Sequence, residues 1–249
     1  MNYSNEKTIP STTKKSTPFI SMNLSNLSKY DILPVDDYIF IFDIDDTLYK
    51  ASDDMVSVEI EKWRKAYNHY LNDKKKEDKH AVPPFSDIIK CNPLLSESFY
   101  KCFGKHPYEV ELCRGILDYS LYVKKNDKLI NLLRDLPYRK YCFTNGMKCR
   151  AEPILDVMGL TDVFEGVICM DDRSVDNFVL GKPKEEAYDF VEKLLNIKDR
   201  SKVYFFDDAC INIEEGLRRG WNSYLVKKED DIVEMVSRIL VEISSDMDR

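Results

Sequence analysis

No stretch of the sequence comes near the roughly 18 consecutive apolar residues of a membrane span, so no membrane partner is expected. The opening residues, MNYSNEKTIPSTTKKSTPF, lack the apolar core of a secretory signal and the arginines of a transit peptide. The seven cysteines are odd in number, and none stands in a CxxC or Cys/His pattern. That argues against a zinc module or a full disulfide framework. Free thiols suit a reducing compartment, so a cytoplasmic location is expected. Only three histidines occur, His69, His80 and His106, with no ligand spacing. Positive charge is also short. Lys and Arg total 37 against 44 Asp and Glu, a formal charge of −7, and a nucleic acid polymer is not an expected partner. Nothing in the sequence sets the oligomeric state.

What is present is a hydrophobic content of 43%, enough for a soluble chain with a sizeable core. Residues 1–35 are polar and rich in Ser, Thr, Asn and Lys, and they read as a disordered tail. YIFIFD, from Tyr38, then reads as a short buried strand. From about residue 50 to 125 the texture turns helical, with Val56, Ile60, Trp63, Tyr67 and Leu71 at helical spacing. Beyond that, strands KYCFTNG, EGVICM, KVYFFDD and NSYLV alternate with helices KLINLLRDL, AEPILDVMGL, KEEAYDFVEKLLN and INIEEGLRRG. KYCFTNG is expected to break at its Asn-Gly, a strong turn dipeptide. The expected class is α/β: a Rossmann-like parallel sheet with helices on both faces. Residues 36–49 and 126–249 would form this core. Residues 50–125 would form a mostly helical cap inserted after the first strand, longer than a connection needs.

Ligands of open parallel sheets bind beyond the carboxyl ends of the strands. Asp43, Asp45 and Asp46 follow the first strand, and Thr144, Asn145 and Gly146 the second. Lys182 follows the third across a loop, and Asp207 and Asp208 follow the fourth. Alone, each feature reads as a turn, a helix cap or a surface lysine. Together they converge carboxylates that repel one another unless a counter-charge is present. A hard divalent cation, Mg²⁺, supplies one and accepts carboxylates, waters and a substrate phosphate. A lysine and a hydroxyl suit the remaining phosphate oxygens. Phosphoryl transfer follows as the expected chemistry. Residues i and i+2 of an extended stretch point the same way, so one of Asp43 and Asp45 can attack phosphorus and the other shuttle the proton. Asp43, at the end of the strand, is the better nucleophile candidate.

FDIDDTLY, CFTNG, GKPK and FFDDACINIEEG, in that order, resemble the four motifs of the haloacid dehalogenase superfamily of phosphohydrolases. The resemblance implies Asp43 as nucleophile and Asp45 as acid/base. It implies Mg²⁺ held by the Asp43 side chain, the Asp45 carbonyl and Asp208, with Asn212 in support and Asp207 ranked second. Thr144, Asn145 and Lys182 would hold phosphate oxygens. Dehalogenases and P-type ATPases of the superfamily lack an acid at the position of Asp45, so ester hydrolysis is favoured. The same motifs are similar to the pyrimidine 5'-nucleotidase-like branch, which implies a nucleoside 5'-monophosphate as substrate. Another small phosphorylated metabolite, a sugar phosphate or lysophospholipid, is the alternative. A phosphomutase, or a regulatory binding protein on the same fold, is the reading from another class. In the insert, Arg114, Tyr119 and Tyr122 are candidates to meet a base or phosphate, although tyrosines at such spacing usually pack.

Overall fold

The computed structural model describes residues 17–30, 37–75, 78, 81–91, 94–170 and 179–247. Six parallel strands form one sheet, in the order β1-β4-β3-β2-β5-β6. These are β1 (Phe19–Ser21), β2 (Ile39–Phe42), β3 (Arg139–Met147), β4 (Gly166–Met170), β5 (Val203–Asp207) and β6 (Asn222–Leu225). β2 is central and buried at every residue, because side chains alternate between two covered faces. Phe40 and Phe42 enter the core beneath α5 (Asp127–Asp135), α6 (Lys148–Met158) and α9 (Ile232–Met247). Ile39 and Ile41 enter the other core, beneath α7 (Glu185–Leu194) and α8 (Cys210–Arg218). The chain runs from β2 outward to β3 and β4, then returns to place β5 on the opposite side. That reversal is the switch point at which a crevice opens above the strand ends.

Among the described residues between β2 and α5 are the α-helices α1 (Asp53–Asp73), α2 (Phe85–Cys91), α3 (Leu95–Phe103) and α4 (Pro107–Arg114). Ser52 caps α1 by accepting a hydrogen bond from the Met55 amide, with Asp53 and Asp54 in the first turn, where acids oppose the positive helix end. These helices share an apolar cluster of their own, built on Ala66, Tyr67, Tyr70, Ile88, Phe99 and Val110.

Three features depart from expectation. The expected tail of 1–35 is partly folded: β1 pairs with β4, and Ile20 and Met22 are buried. Three residues at a sheet edge, one of them inward, carry too little periodicity to read. Residues 1–16 and 31–36 lie outside the described residues. Asn-Gly does not break β3. The strand continues to Met147 through a bulge: four steps on β3, Phe143 to Met147, match two on β4, Ile168 to Met170. A bulge re-aims side chains, and here it turns residues 144–146 toward the crevice. Beyond the last expected strand, α9 packs Ile232, Val236, Ile239 and Ile243 against the sheet, a stripe at helical spacing.

Candidate active site

The carboxyl ends of β2, β3 and β5 meet at one cleft of about 480 Å³. Asp43 follows β2 directly, its amide donating to the Phe206 carbonyl of β5 at 2.8 Å. Lys182 arrives from the loop after β4 and is 1% exposed. Its ammonium donates to Asp43 Oδ1 at 2.7 Å, Asp207 Oδ2 at 2.6 Å and the Phe143 carbonyl at 2.6 Å. An ammonium has three N–H donors, so all three are committed. Lys182 therefore serves first as the buried counter-charge of Asp43 and Asp207. Burial, opposed by Lys182 and reinforced by Asp207 and Asp45, pushes the Asp43 carboxyl well above its ordinary range. Burial opposes the Lys182 charge, but Asp207 and Asp43 outweigh it and raise the lysine pKa.

The two acids after β5 divide their tasks. Asp207 is fully buried, and its Oδ1 accepts from the Ala209 amide and Asn212 Nδ2, both at 2.9 Å. Asp208 lines the cleft with one side exposed. Partial burial, then repulsion from Asp207 and Asp46, pushes its carboxyl up to about 6. Asn145 also differs in emphasis from expectation. Its side chain is locked to the Lys182 backbone, Nδ2 donating to the carbonyl and Oδ1 accepting from the amide, each at 2.8 Å. It is a strut for the lysine loop. Thr144, in the bulge, is buried and faces the cleft, and its Oγ1 accepts from the Gly146 amide at 2.9 Å.

Asp45 also lines the cleft. Its Oδ1 accepts from the Tyr49 hydroxyl at 2.6 Å and faces Arg150 Nη2 at 3.4 Å. Asp46 serves the turn: its backbone has φ 53°, and its Oδ1 accepts from the Ala51 amide at 2.8 Å. The helical insert supplies the opposite wall with Glu59, Trp63, Leu94, Leu95, Glu111 and Arg114. Arg114 stacks over Trp63 with 4.2 Å to the ring centroid and is paired with Glu59 and Glu111. Tyr119 lies beneath Arg150, and Tyr122 packs against the core. Neither lines the cleft. Arg150, Glu59 and Trp63 were not legible as site residues, because no motif carries them, and Tyr49, although inside FDIDDTLY, carries no signal of its bond to Asp45. His69 and His106 lie away from the cleft, and His80 is outside the described residues.

Among the described residues no three His, Cys, Asp or Glu side chains cluster to hold a metal by themselves. Asp43 and Asp208, the carboxylates expected to hold a metal together with the Asp45 carbonyl, both line the cleft. Such a set suits a hard cation that keeps several waters, as Mg²⁺ does, and not one demanding a full protein cage. Five acids, Asp43, Asp45, Asp46, Asp207 and Asp208, stand around a single buried lysine and Arg150, which leaves negative charge for such a cation to offset.

The chain is similar to several known proteins. Phosphate metabolism protein 8 of Saccharomyces cerevisiae is 25% identical over 213 residues, 77% of this chain. The chain spans 62% of that relative's length. The crystal structure of the HAD family enzyme bt-2542 from Bacteroides thetaiotaomicron superposes with a TM-score of 0.50 at 16% identity, covering 80% of this chain and 98% of that one. The same Bacteroides enzyme in complex with magnesium and inorganic phosphate gives 0.46 at 16% identity, covering 78% and 96%. Among the described residues no helix is long and apolar enough to cross a membrane. A family model described as haloacid dehalogenase-like hydrolase matches residues 39–218, a span that holds every site residue above, and the chain belongs to that family.

Proposed function

We propose that this hydrolase is a Mg²⁺-dependent phosphatase acting on a small phosphomonoester, foremost a nucleoside 5'-monophosphate. The observation that carries the reading is the Asp43–Lys182–Asp207 arrangement at the strand ends, beside Asp45 in the same cleft. Asp43 attacks phosphorus and forms an aspartyl-phosphate, while Asp45 gives a proton to the leaving oxygen. Asp45 then takes a proton from water, which hydrolyses the intermediate and restores Asp43. Lys182 opposes the burial that disfavours the ionised nucleophile and fixes its position, and Thr144 presents its hydroxyl to the phosphate. Asp43, the Asp45 carbonyl and Asp208 would hold Mg²⁺, which offsets the charge of the phosphate oxygens when bound. The insert acts as the cap, excluding water and shaping the leaving-group side of the cleft.

A cleft of about 480 Å³ lies within the usual range for small ligands. Its cap wall pairs apolar Trp63, Leu94 and Leu95 with charged Glu59, Glu111 and Arg114. That mixture supports a compact polar leaving group such as a nucleoside over the acyl chain of a lysophospholipid. The relative's name, phosphate metabolism protein 8, agrees in chemistry. The test is release of phosphate from p-nitrophenyl phosphate with and without Mg²⁺, followed by nucleoside monophosphates, sugar phosphates and lysophospholipids side by side. Asp43→Asn is expected to abolish turnover. Unchanged activity in that variant, or no release from any ester, overturns the reading.

A further inference from the structure

Arg150 stands on α6, one turn beyond the β3 bulge, with its side chain 17% exposed. One guanidinium nitrogen, Nη2, faces Asp45 Oδ1 at 3.4 Å, and the other, Nη1, donates to Glu59 Oε1 at 3.0 Å. Asp45 belongs to the core and Glu59 to the first helix of the insert. The same Glu59 is paired through its other oxygen with Arg114, which is itself pinned by Glu111 and Trp63. Burial opposes the Arg150 charge, and Asp45, Tyr119 and Glu59 outweigh it, so the guanidinium stays protonated. A rigid planar fork can hold two carboxylates in fixed relation, one on each terminal nitrogen.

Both hydrogen bonds to the Asp45 carboxylate, from Tyr49 and Arg150, fall on Oδ1. Oδ2 lies toward the bulge, 3.9 Å from where a β-carbon on Gly146 would stand. Rotation of the carboxylate is thereby restricted, and one oxygen is left for proton transfer.

We infer that Arg150 is a positioning residue for the acid/base carboxylate: it anchors Asp45 by Oδ1, is itself anchored from the insert by Glu59, and so presents Oδ2 to the leaving oxygen only when the insert is seated. This rests on the proposed role of Asp45. In the step concerned, an Asp43 oxygen bonds to phosphorus as the ester P–O bond breaks. The proton on Asp45 Oδ2 goes to the departing oxygen and leaves Asp45 as carboxylate.

The test uses two aryl esters that differ by a para nitro group, phenyl phosphate and p-nitrophenyl phosphate, on the intact Mg²⁺-loaded protein, each variant being compared with the parent on the same ester. Phenoxide needs a proton as it leaves, and p-nitrophenoxide hardly does. General acid catalysis contributes on the order of 100-fold or more, so Arg150→Gln is expected to lower kcat/KM for phenyl phosphate about tenfold or more relative to p-nitrophenyl phosphate. Glu59→Gln, which keeps the shape and removes the anchor, is expected to shift the ratio in the same direction by a smaller factor. It also serves if Arg150→Gln does not fold. Equal losses on both esters in the folded variants would make Arg150 merely structural and overturn the inference. Asp45→Asn separates the two levels. If it too loses both esters equally, the role of Asp45 fails. If it is selective and the Arg150 and Glu59 variants are not, only the inference about Arg150 fails.

Discussion

Lys182 Nζ bridges Asp43 Oδ1 and Asp207 Oδ2 at 2.7 and 2.6 Å, joining the ends of two adjacent strands through one buried charge. Removing the lysine leaves two desolvated carboxylates facing each other. Lys182→Met is therefore expected to cost about 3–5 kcal/mol at neutral pH and to lower kcat at least about 100-fold. Burial already pushes the Asp43 carboxyl up against the pull of Lys182, and the variant pushes it further. A raised folded-state pKa means the penalty is full above that pKa and fades as acid protonates the group. Urea melts of metal-free protein should thus show the gap between variant and parent narrowing from pH 7.5 to pH 5. A gap that widens in acid would contradict the account.

Asp208 gives the second prediction. Its carboxyl is pushed up to about 6 by burial and by Asp207 and Asp46. A raised folded-state pKa favours the folded protein while the group is protonated. The metal-free protein should then lose this contribution as pH rises through about 6, and Asp208→Asn should flatten that part of the profile. A metal ligand must be deprotonated to bind. The Mg²⁺-induced rise in Tm should therefore grow between pH 5 and 7 and level off above. Thermal melts in EDTA and in Mg²⁺ measure both, and a Mg²⁺ effect independent of pH over that range would exclude Asp208 as a ligand.

The sheet was legible where strands are buried on both faces. β2, β4 and β5 are buried almost throughout, and an unbroken apolar run followed by a polar residue marks both the strand and its active end. Asp43 and Asp207, which such runs deliver, are brought together by Lys182, and the β3 bulge brings Thr144 to the same cleft. What could not be read depends on partners distant in sequence. The β3 bulge exists only relative to β4, so Asn-Gly read as a turn. Arg150 and Glu59 are 91 residues apart and touch only because the fold brings their side chains to the same cleft. The side-chain bonds of Asn145 to Lys182 span 37 residues. No local pattern distinguishes such a strut from a phosphate ligand.

The edge strand is open to a direct test. Ile20 is 2% exposed, and its Cδ1 lies 3.0 Å from where a β-carbon on Gly166 would stand. Ile20→Ala is expected to destabilise the protein by about 2–4 kcal/mol while leaving kcat near the parent value, since two strands, β4 and β3, lie between β1 and β2. A urea midpoint unchanged by this substitution would return residues 17–30 to the status of a tail.

The strut formed by Asn145 makes the last prediction, and Gly181 sharpens it. A β-carbon on Gly181 would stand 2.9 Å from Asn145 Oδ1 and 3.3 Å from Leu94 Cδ1. Real β-carbons do not approach a heavy atom so closely, so Gly181→Ala must displace the Asn145 amide, the Lys182 loop or both. Asn145→Ala removes both bonds to the Lys182 backbone without adding volume. If Asn145 acts by fixing the lysine, the two substitutions share a phenotype: lower kcat, by about 10- to 100-fold for a misplaced catalytic group, together with a lower Tm. If it acts only by holding phosphate, Asn145→Ala raises KM and the inhibition constant for inorganic phosphate and leaves Tm unchanged, while Gly181→Ala does not follow it. Steady-state kinetics with phosphate as inhibitor, paired with thermal melts of both variants, separate these outcomes. The reciprocal 2.8 Å bonds predict the first, because they commit the acceptor and one of the two N–H donors to the Lys182 backbone and so orient the amide by that loop.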